Sequence, residues 1–359
     1  MSDAAAKPGT RCKSKAVVLL SGGLDSTLAA RLLQEQGVEI IGVHFSTGFC
    51  VADHKRATAP ADADPKKLRN EALRAGADLQ APVRLVDISR EYLDIVFNPK
   101  HGYGANLNPC IDCRAFMLKK AREIMEEEGA DFVATGEVLG QRPMSQRKVP
   151  MRVIERESGL EGRLLRPLSA RLLPPTEPEQ AGLVDRSRLL SLQGRTRRPQ
   201  MDLIAEKGIT DYPLPAGGCC FLTDANYARR FRDKMAHRTE RPMNQEDVTL
   251  LKAGRHFRIT PALKLIIGRD ERENGFLERF ADGSRVRLEV EVIPGPVGLT
   301  DESLPGEEEE RLCASIVARY SDGRNLPSVT VRAEGGGRPP RTWETTPLKD
   351  EAVLGPMRL

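Results

Sequence analysis

The chain has 359 residues, 40% of them hydrophobic and 30% charged, with a formal net charge of +4. That length holds two or three domains around a sizeable core, and the small positive excess is compatible with an RNA partner without requiring one. Aromatic residues are only 4%, which argues against a surface that works mainly by stacking unpaired bases and favours a structured RNA held by phosphate and shape. No apolar run approaches membrane-spanning length, and residues 16–20, after a start with some positive charge, are too short for a signal-peptide core and show no cleavage pattern, so the protein is expected in the cytoplasm with no membrane partner. Seven cysteines, an odd number without a secreted context, point to metal or redox chemistry rather than a disulfide framework.

Residues 16–20 read as a buried strand. It breaks into Ser21-Gly22-Gly23-Leu24-Asp25-Ser26, and a helix pattern follows over 27–36. A strand, a glycine turn and a helix in that order build an anion site. Glycines let the backbone approach the ligand, and the free amides and dipole of the helix start face it. The Gly-Lys-Ser/Thr ending of a Walker loop is missing, as is the third glycine of the dinucleotide fingerprint. Further strands are expected at 39–45, 83–88, 132–134 and 163–166, and helices at 65–75 and 114–128. This alternation predicts an α/β fold, a parallel sheet with helices on both faces.

A proline-rich joint at 173–178 is followed by an arginine-heavy helical stretch with Arg195, Arg197 and Arg198. A break at 213–218 delivers Cys219-Cys220, and a charged helix is expected over 224–237, with Arg229, Arg230 and Arg232 on a solvated face. Beyond a boundary placed at Arg241-Pro242 the texture turns β-like, at 255–260, 263–267 and 285–293. Residues 304–310 read as a mobile loop, and 335–359 have no clear period. The domains are therefore 14–180, the nucleotide domain; 181–240, an extension carrying a third cysteine; and 241–359, a smaller α+β domain.

Cys110 and Cys113 form a Cys-x-x-Cys in Asn108-Pro109-Cys110-Ile111-Asp112-Cys113, just before a long helix whose N-terminus favours thiolate. With Cys219 or Cys220 they supply three thiolates. That set suits an iron–sulfur cluster with one open iron, a persulfide or disulfide relay, or zinc. Cys12, Cys50 and Cys313 have no partners by spacing and read as incidental. His44, after a strand, reads as a packed histidine.

The six-residue turn resembles the SGGxDS motif of the PP-loop ATP pyrophosphatases. Ala134-Thr135-Gly136-Glu137-Val138-Leu139-Gly140-Gln141, with Ser145-Gln146, resembles the TGExLGQxxSQ segment of tRNA 4-thiouridine synthetases. The Asn-Pro-Cys-x-x-Cys is similar to that of PP-loop tRNA thiolases, including 2-thiouridylases, some of which hold a [4Fe–4S] cluster with a third, distant cysteine. The resemblance covers about 14–235. It implies ATP with Mg²⁺ at Ser21, Gly22, Gly23, Asp25 and Ser26, and the nucleotide bordered by Gly136, Gln141, Ser145 and Gln146. It implies catalytic roles for Asp25, Cys110, Cys113, Cys219 and Cys220, with a cluster on Cys110, Cys113 and Cys220 or Cys219. The implied reaction is tRNA uridine thiolation through an adenylated base.

Two departures stand out. The N-terminal RNA-binding domains usual in 4-thiouridine synthetases do not precede the motif, and Arg142-Pro143-Met144 differs from the usual filler. Residues 254–259 and 265–274 are similar to the NFACT-R type of RNA-binding domain, which implies RNA contact around Arg255, Arg258, Arg269 and Arg272. The rival readings are a PP-loop ligase acting on a small deazapurine precursor and a non-catalytic RNA-binding protein. None of these motifs encodes which uridine is modified, C2 against C4, the sulfur donor or the oligomeric state.

Overall fold

In the computed structural model, which describes residues 14–59, 62–209, 211–213, 220–237, 243–301 and 304–359, the first apolar run becomes β1 (Lys15–Leu19). It lies at the centre of a sheet completed by β2 (Glu39–Ser46), β3 (Val83–Asp87), β4 (Phe132–Thr135) and β5 (Leu164–Leu165). The order is β3-β2-β1-β4-β5, and every pairing is parallel. Successive β1 side chains explain why the run is apolar throughout. Ala16 and Val18 pack with Ala30, Leu33 and Ala75 on one face. Val17 and Leu19 pack with Leu118, Ala121 and Ile154 on the other. A strand buried on both faces has no polar side to show. The expected parallel sheet with helices on both faces is what forms.

The chain runs outward from β1 to β2 and β3, then returns to place β4 on β1's other side. The strand order therefore reverses beside the carboxyl end of β1, where open α/β sheets bind ligands.

Element boundaries differ from expectation in several places. The first helix begins at Leu24, inside the glycine motif, and ends at Gln34. The pattern over 65–75 is two helices, Pro65–Leu68 and Glu71–Asp78. Asn70 separates them because its side chain caps the amides of Ala72 and Leu73. The cysteine helix runs Cys110–Glu127, so Cys-x-x-Cys lies in its first turn instead of before it. Helices Ser89–Phe97 and Lys148–Ser158 were not expected.

The chain divides into two compact units, one of Met1–Thr47 with Arg69–Gly217, the other of Gly48–Leu68 with Gly218–Leu359. The boundary placed at Arg241-Pro242 lies outside the described residues. Helix Ala225–Ala236 is anchored in the second unit, where Tyr227 donates to the Val248 carbonyl at 3.1 Å and Lys234 to Asp301 at 2.8 Å.

The second unit holds an antiparallel sheet of β6 (Arg255–Arg258), β7 (Lys264–Ile267), β8 (Val286–Val290), β9 (Gly298–Thr300), β10 (Val329–Gly335) and β11 (Arg338–Thr345). Its order is β11-β10-β8-β9-β7-β6. Of the expected mobile loop at 304–310, residues 307–310 are instead the start of helix Glu307–Arg319. Its run of glutamates occupies the first turn, where the dipole favours acid, and Glu309 accepts from the Gly306 amide. Cys313 of this helix sits in the core with Leu288 and Val331. Burial pushes its thiol far above the ordinary range. The tail is ordered by the β10–β11 hairpin and helix Glu351–Met357. No helix among the described residues is long and apolar enough to cross a membrane.

Candidate functional site

Gly22 sets the turn after β1. Its φ is +74°, and a Cβ there would lie 2.2 Å from the Glu71 carbonyl carbon. Both facts demand glycine. Arg74 then fixes the peptide's direction: its Nη2 donates to the Gly22 carbonyl at 2.9 Å, while Nε binds Glu71 at 2.8 Å. In a trans peptide the next amide points the opposite way, so the Gly23 N–H faces away from Arg74, and it donates to the Ser21 hydroxyl at 3.4 Å. Gly23 is the N-cap of helix Leu24–Gln34. Ser21 and Ser26 hydroxyls lie 3.1 Å apart, and Ser26 donates to the Gly23 carbonyl at 3.0 Å. Arg69 braces the same segment by gripping the Asp211 carboxylate with two bonds of 2.6 Å.

The parallel register brings the second motif to the first. Leu19 pairs with Thr135, so Gly136 emerges beside the glycine turn. A Cβ on Gly136 would lie 2.5 Å from the Asp25 carbonyl carbon and the Ser26 amide. Gln141 Nε2 donates to Asp25 Oδ2 at 2.9 Å, and Asp25 Oδ1 is buried without a hydrogen-bond partner among the described residues. Gly22, Gly23, Asp25, Ser26, Gly136 and Gln141 therefore form one constellation. Ser145 and Gln146 are buried, and Gln146 closes its own loop by accepting from the Arg142 amide at 3.0 Å. His44 is packed, its Nδ1 3.2 Å from the Leu20 carbonyl.

Glu137, not singled out from the sequence, anchors this end of the sheet. It is 2% exposed and meets Arg166 at 3.0 Å and Arg114 at 3.1 Å. Burial pushes its carboxyl up, but the two guanidiniums win and hold it below the usual carboxylate range. Arg114 follows Cys113 directly, so this pair ties the cysteine helix to the strand beside the glycine turn. Glutamate next to the Thr-Gly of the motif was the available signal.

Asn108 Nδ2 donates to Cys110 Sγ at 2.8 Å at the head of the cysteine helix. Between the cysteines, Asp112 is nearly buried and accepts from both the backbone amide and Nδ1 of His101, each at 3.1 Å. His101 also reaches Glu157 at 3.3 Å, which Lys100 neutralises at 2.7 Å. These contacts lock the loop that presents Cys110 and Cys113.

Cys110 and Cys113 belong to the first unit and Cys220 to the second; Cys219 and Cys12 lie outside the described residues. Cys50 is not incidental. It forms an antiparallel bridge with Cys220, and the Phe221 amide donates to the Phe49 carbonyl at 2.9 Å. That pattern makes the two cysteines a non-hydrogen-bonded pair, the kind whose side chains stand closest. Lys252 is pinned beside them by the Gly48 carbonyl at 2.6 Å. Burial lowers its ammonium pKa, while Asp53 and the two cysteines oppose that shift.

Residues 14–153 match the family described as the tRNA methyl transferase HUP domain, and residues 254–355 match the NFACT protein RNA binding domain. The chain thus carries, one after the other, a stretch similar to a HUP domain and a stretch similar to an NFACT-R domain. Its first part resembles tRNA thiolases in particular. The tRNA-specific 2-thiouridylase MnmA of Petrotoga mobilis is 34% identical over 134 residues, 35% of this chain and 35% of that protein. That of Leptospira interrogans is 31% identical over 132 residues, 34% of each. The chain spans about a third of the length of these relatives. A solved 4-thiouridine synthetase–RNA complex with bound ATP aligns over 55% of this chain and 50% of that one, at 23% identity and a TM-score of 0.33.

Proposed function

We propose that this chain is an ATP-dependent tRNA sulfurtransferase, acting in the cytoplasm, that adenylates a uridine carbonyl oxygen and then replaces that oxygen with sulfur. The observation that carries the reading is the joining of the two motifs: Gly136 packed on the Asp25–Ser26 peptide at the carboxyl end of β1. This builds a phosphate cradle from the Gly23 amide, the helix start and the Ser21 and Ser26 hydroxyls. Gln141 orients Asp25, whose second oxygen is buried and without a hydrogen-bond partner among the described residues and would hold a Mg²⁺ that neutralises phosphate charge. The uridine oxygen attacks the α-phosphate, pyrophosphate leaves, and AMP becomes the leaving group at the base. The base leaves its stack to reach the cradle.

Cys110 and Cys113, three residues apart on one helix, present two sulfurs on the same side, and the resemblance of the sequence to PP-loop thiolases gives Cys220 or Cys219 as the third donor. Such soft donors fit a [4Fe–4S] cluster, which when bound offers an open iron for sulfide. The same thiols serve a persulfide relay.

Purified protein, bulk tRNA and ATP test the reading. Pyrophosphate release that depends on tRNA, with one thiouridine missing from the tRNA of a strain lacking the protein, is the expected result. Pyrophosphate released with a small carboxylate substrate and no RNA would make it a ligase. No ATP cleavage with bulk tRNA would make it a non-catalytic binding protein.

A further inference from the structure

Four arginines that are far apart in sequence converge in the second unit. A cavity of about 230 Å³ is lined by Arg230, Arg255, Arg269 and Arg358, together with His256 and Tyr320. It shares Arg255, Arg269 and Tyr320 with a wider hollow of about 670 Å³, where Arg319, Arg324 and Lys349 meet Asp270, Glu271 and Asp322. The Arg255 guanidinium lies 4.8 Å over the Tyr320 ring, and Arg358 reaches the Tyr320 hydroxyl at 3.5 Å.

Two of the four have acidic partners, Arg269 with Glu273 at 2.9 Å and Arg358 with Glu351 at 3.4 Å. Arg230 and Arg255 make no ion pair among the described residues. Arg230 donates to the Leu251 carbonyl at 3.2 Å, and its Nε is buried without a partner; Arg255 donates to the Gly268 carbonyl at 3.3 Å. The concentration of cations has an electrostatic cost. Burial first, and then the charge of Arg269, pulls the Arg230 guanidinium down to about 10. His256 is fully buried at the wall, with Nε2 2.7 Å from the Ala253 carbonyl and Nδ1 lacking a hydrogen-bond partner among the described residues.

Two of the four arginines suggested by the sequence are used elsewhere. Arg258 is gripped by Asp233 at 2.5 and 3.2 Å, and Arg272 faces Asp270 at 3.7 Å.

We propose that the cavity at Arg230, Arg255, Arg269 and Arg358 is a phosphate subsite that takes a backbone phosphate of the RNA substrate. The inference rests on the tRNA reading above and adds to it the place where the RNA backbone is held. Guanidinium forks match the geometry of phosphate oxygens, and an anion among four like charges relieves their repulsion. The Arg255–Tyr320 stack holds one fork in place. A backbone phosphate is favoured over a free anion because the cavity shares Arg255, Arg269 and Tyr320 with a hollow of about 670 Å³, room for the nucleotides flanking the phosphate, where the charges of Arg319, Arg324 and Lys349 are balanced by Asp270, Glu271 and Asp322.

The full chain is titrated with fluorescent tRNA at several salt concentrations, without ATP, as wild type, Arg255→Gln, Arg255→Lys and Arg230→Gln, with Arg332→Gln on exposed β10 as control. Each glutamine variant is expected to bind about tenfold more weakly and to flatten the salt slope by about one. Arg255→Lys should keep the slope but lose affinity, because the charge stays and the fork is lost. Unchanged affinity and slope in both glutamine variants, with thermal melts matching wild type, overturns the subsite. Glutamine variants that lose competition by inorganic phosphate yet bind tRNA normally make it a free-phosphate site and overturn the RNA assignment. Binding needs no catalysis, so weakened binding beside a chain that thiolates nothing keeps the subsite and removes the thiolase reading.

Discussion

Gly22 and Gly136 each touch the peptide backbone of another segment, and neither tolerates a methyl group. Gly22→Ala forces a left-handed conformation, which costs an L-residue about 1–2 kcal/mol before any clash with Glu71. Gly136→Ala pushes β4 off the Asp25–Ser26 peptide. Nucleotide binding should vanish in Gly136→Ala while the far-ultraviolet circular dichroism stays near wild type; calorimetric titration with a non-hydrolysable ATP analogue checks it. Asp25→Ala should keep the fold, since the residue lies in the first turn of helix Leu24–Gln34 and alanine is a good helix former, and lose pyrophosphate release.

Glu137→Gln is predicted to destabilise by up to about 3 kcal/mol, because buried Arg166 is left with only Glu155 and half-buried Arg114 loses its counter-charge. The pH dependence has a definite sign. The Glu137 carboxyl is held below its ordinary value of 4.5, so its contribution is complete above that value and lost as pH falls through the depressed one. Urea unfolding from pH 7 down to pH 3 should show the wild type losing its advantage over Glu137→Gln on the acid side. A constant gap across that range would remove the ion pair as the cause.

Among the elements, the bridge at Cys50 and Cys220 makes a claim about cysteine chemistry. Directly opposite residues in an antiparallel pair have Cβ atoms about 4.5–5.5 Å apart, close to what a disulfide spans. Diamide treatment should link Cys50 to Cys220, read by peptide mass mapping, and Cys50→Ser should abolish that product. If Cys219 is linked to Cys50 instead, the register does not control the chemistry.

The cysteine helix carries a separate expectation. Protein purified without oxygen should be brown and hold about four irons per chain, and Cys110→Ala or Cys113→Ala should bleach it. Colourless protein with stoichiometric zinc would rule out the cluster.

At the scale of the molecule, the two sheets were not equally legible. Strands of the parallel sheet are continuous apolar runs between glycine turns and amphipathic helices, and each is read on its own. In the second unit, β9 is only Gly298–Thr300 and β11 carries Pro339 and Pro340. Such segments become strands because neighbours pair with them, as Leu288 does with Gly298 and Val331 with Trp343. Glutamate-rich 304–310 looked like a loop for a related reason. Its helix is held by the packing of Cys313, Ile316 and Val317 further along.

The sequence by itself determined what is local: the strand, glycine turn and helix of the first motif, the Cys-x-x-Cys at a helix start, and the alternation that requires a parallel sheet. These depend on residues a few positions apart and on the backbone preferences of glycine and the helix terminus. Tertiary structure decided which distant segments complete them. Gly136 meets Asp25 because β4 pairs with β1, Cys50 meets Cys220 across a bridge, and Arg230, Arg255, Arg269 and Arg358 share one cavity. Chain topology and packing fix such neighbours, and spacing along the sequence carries no record of them.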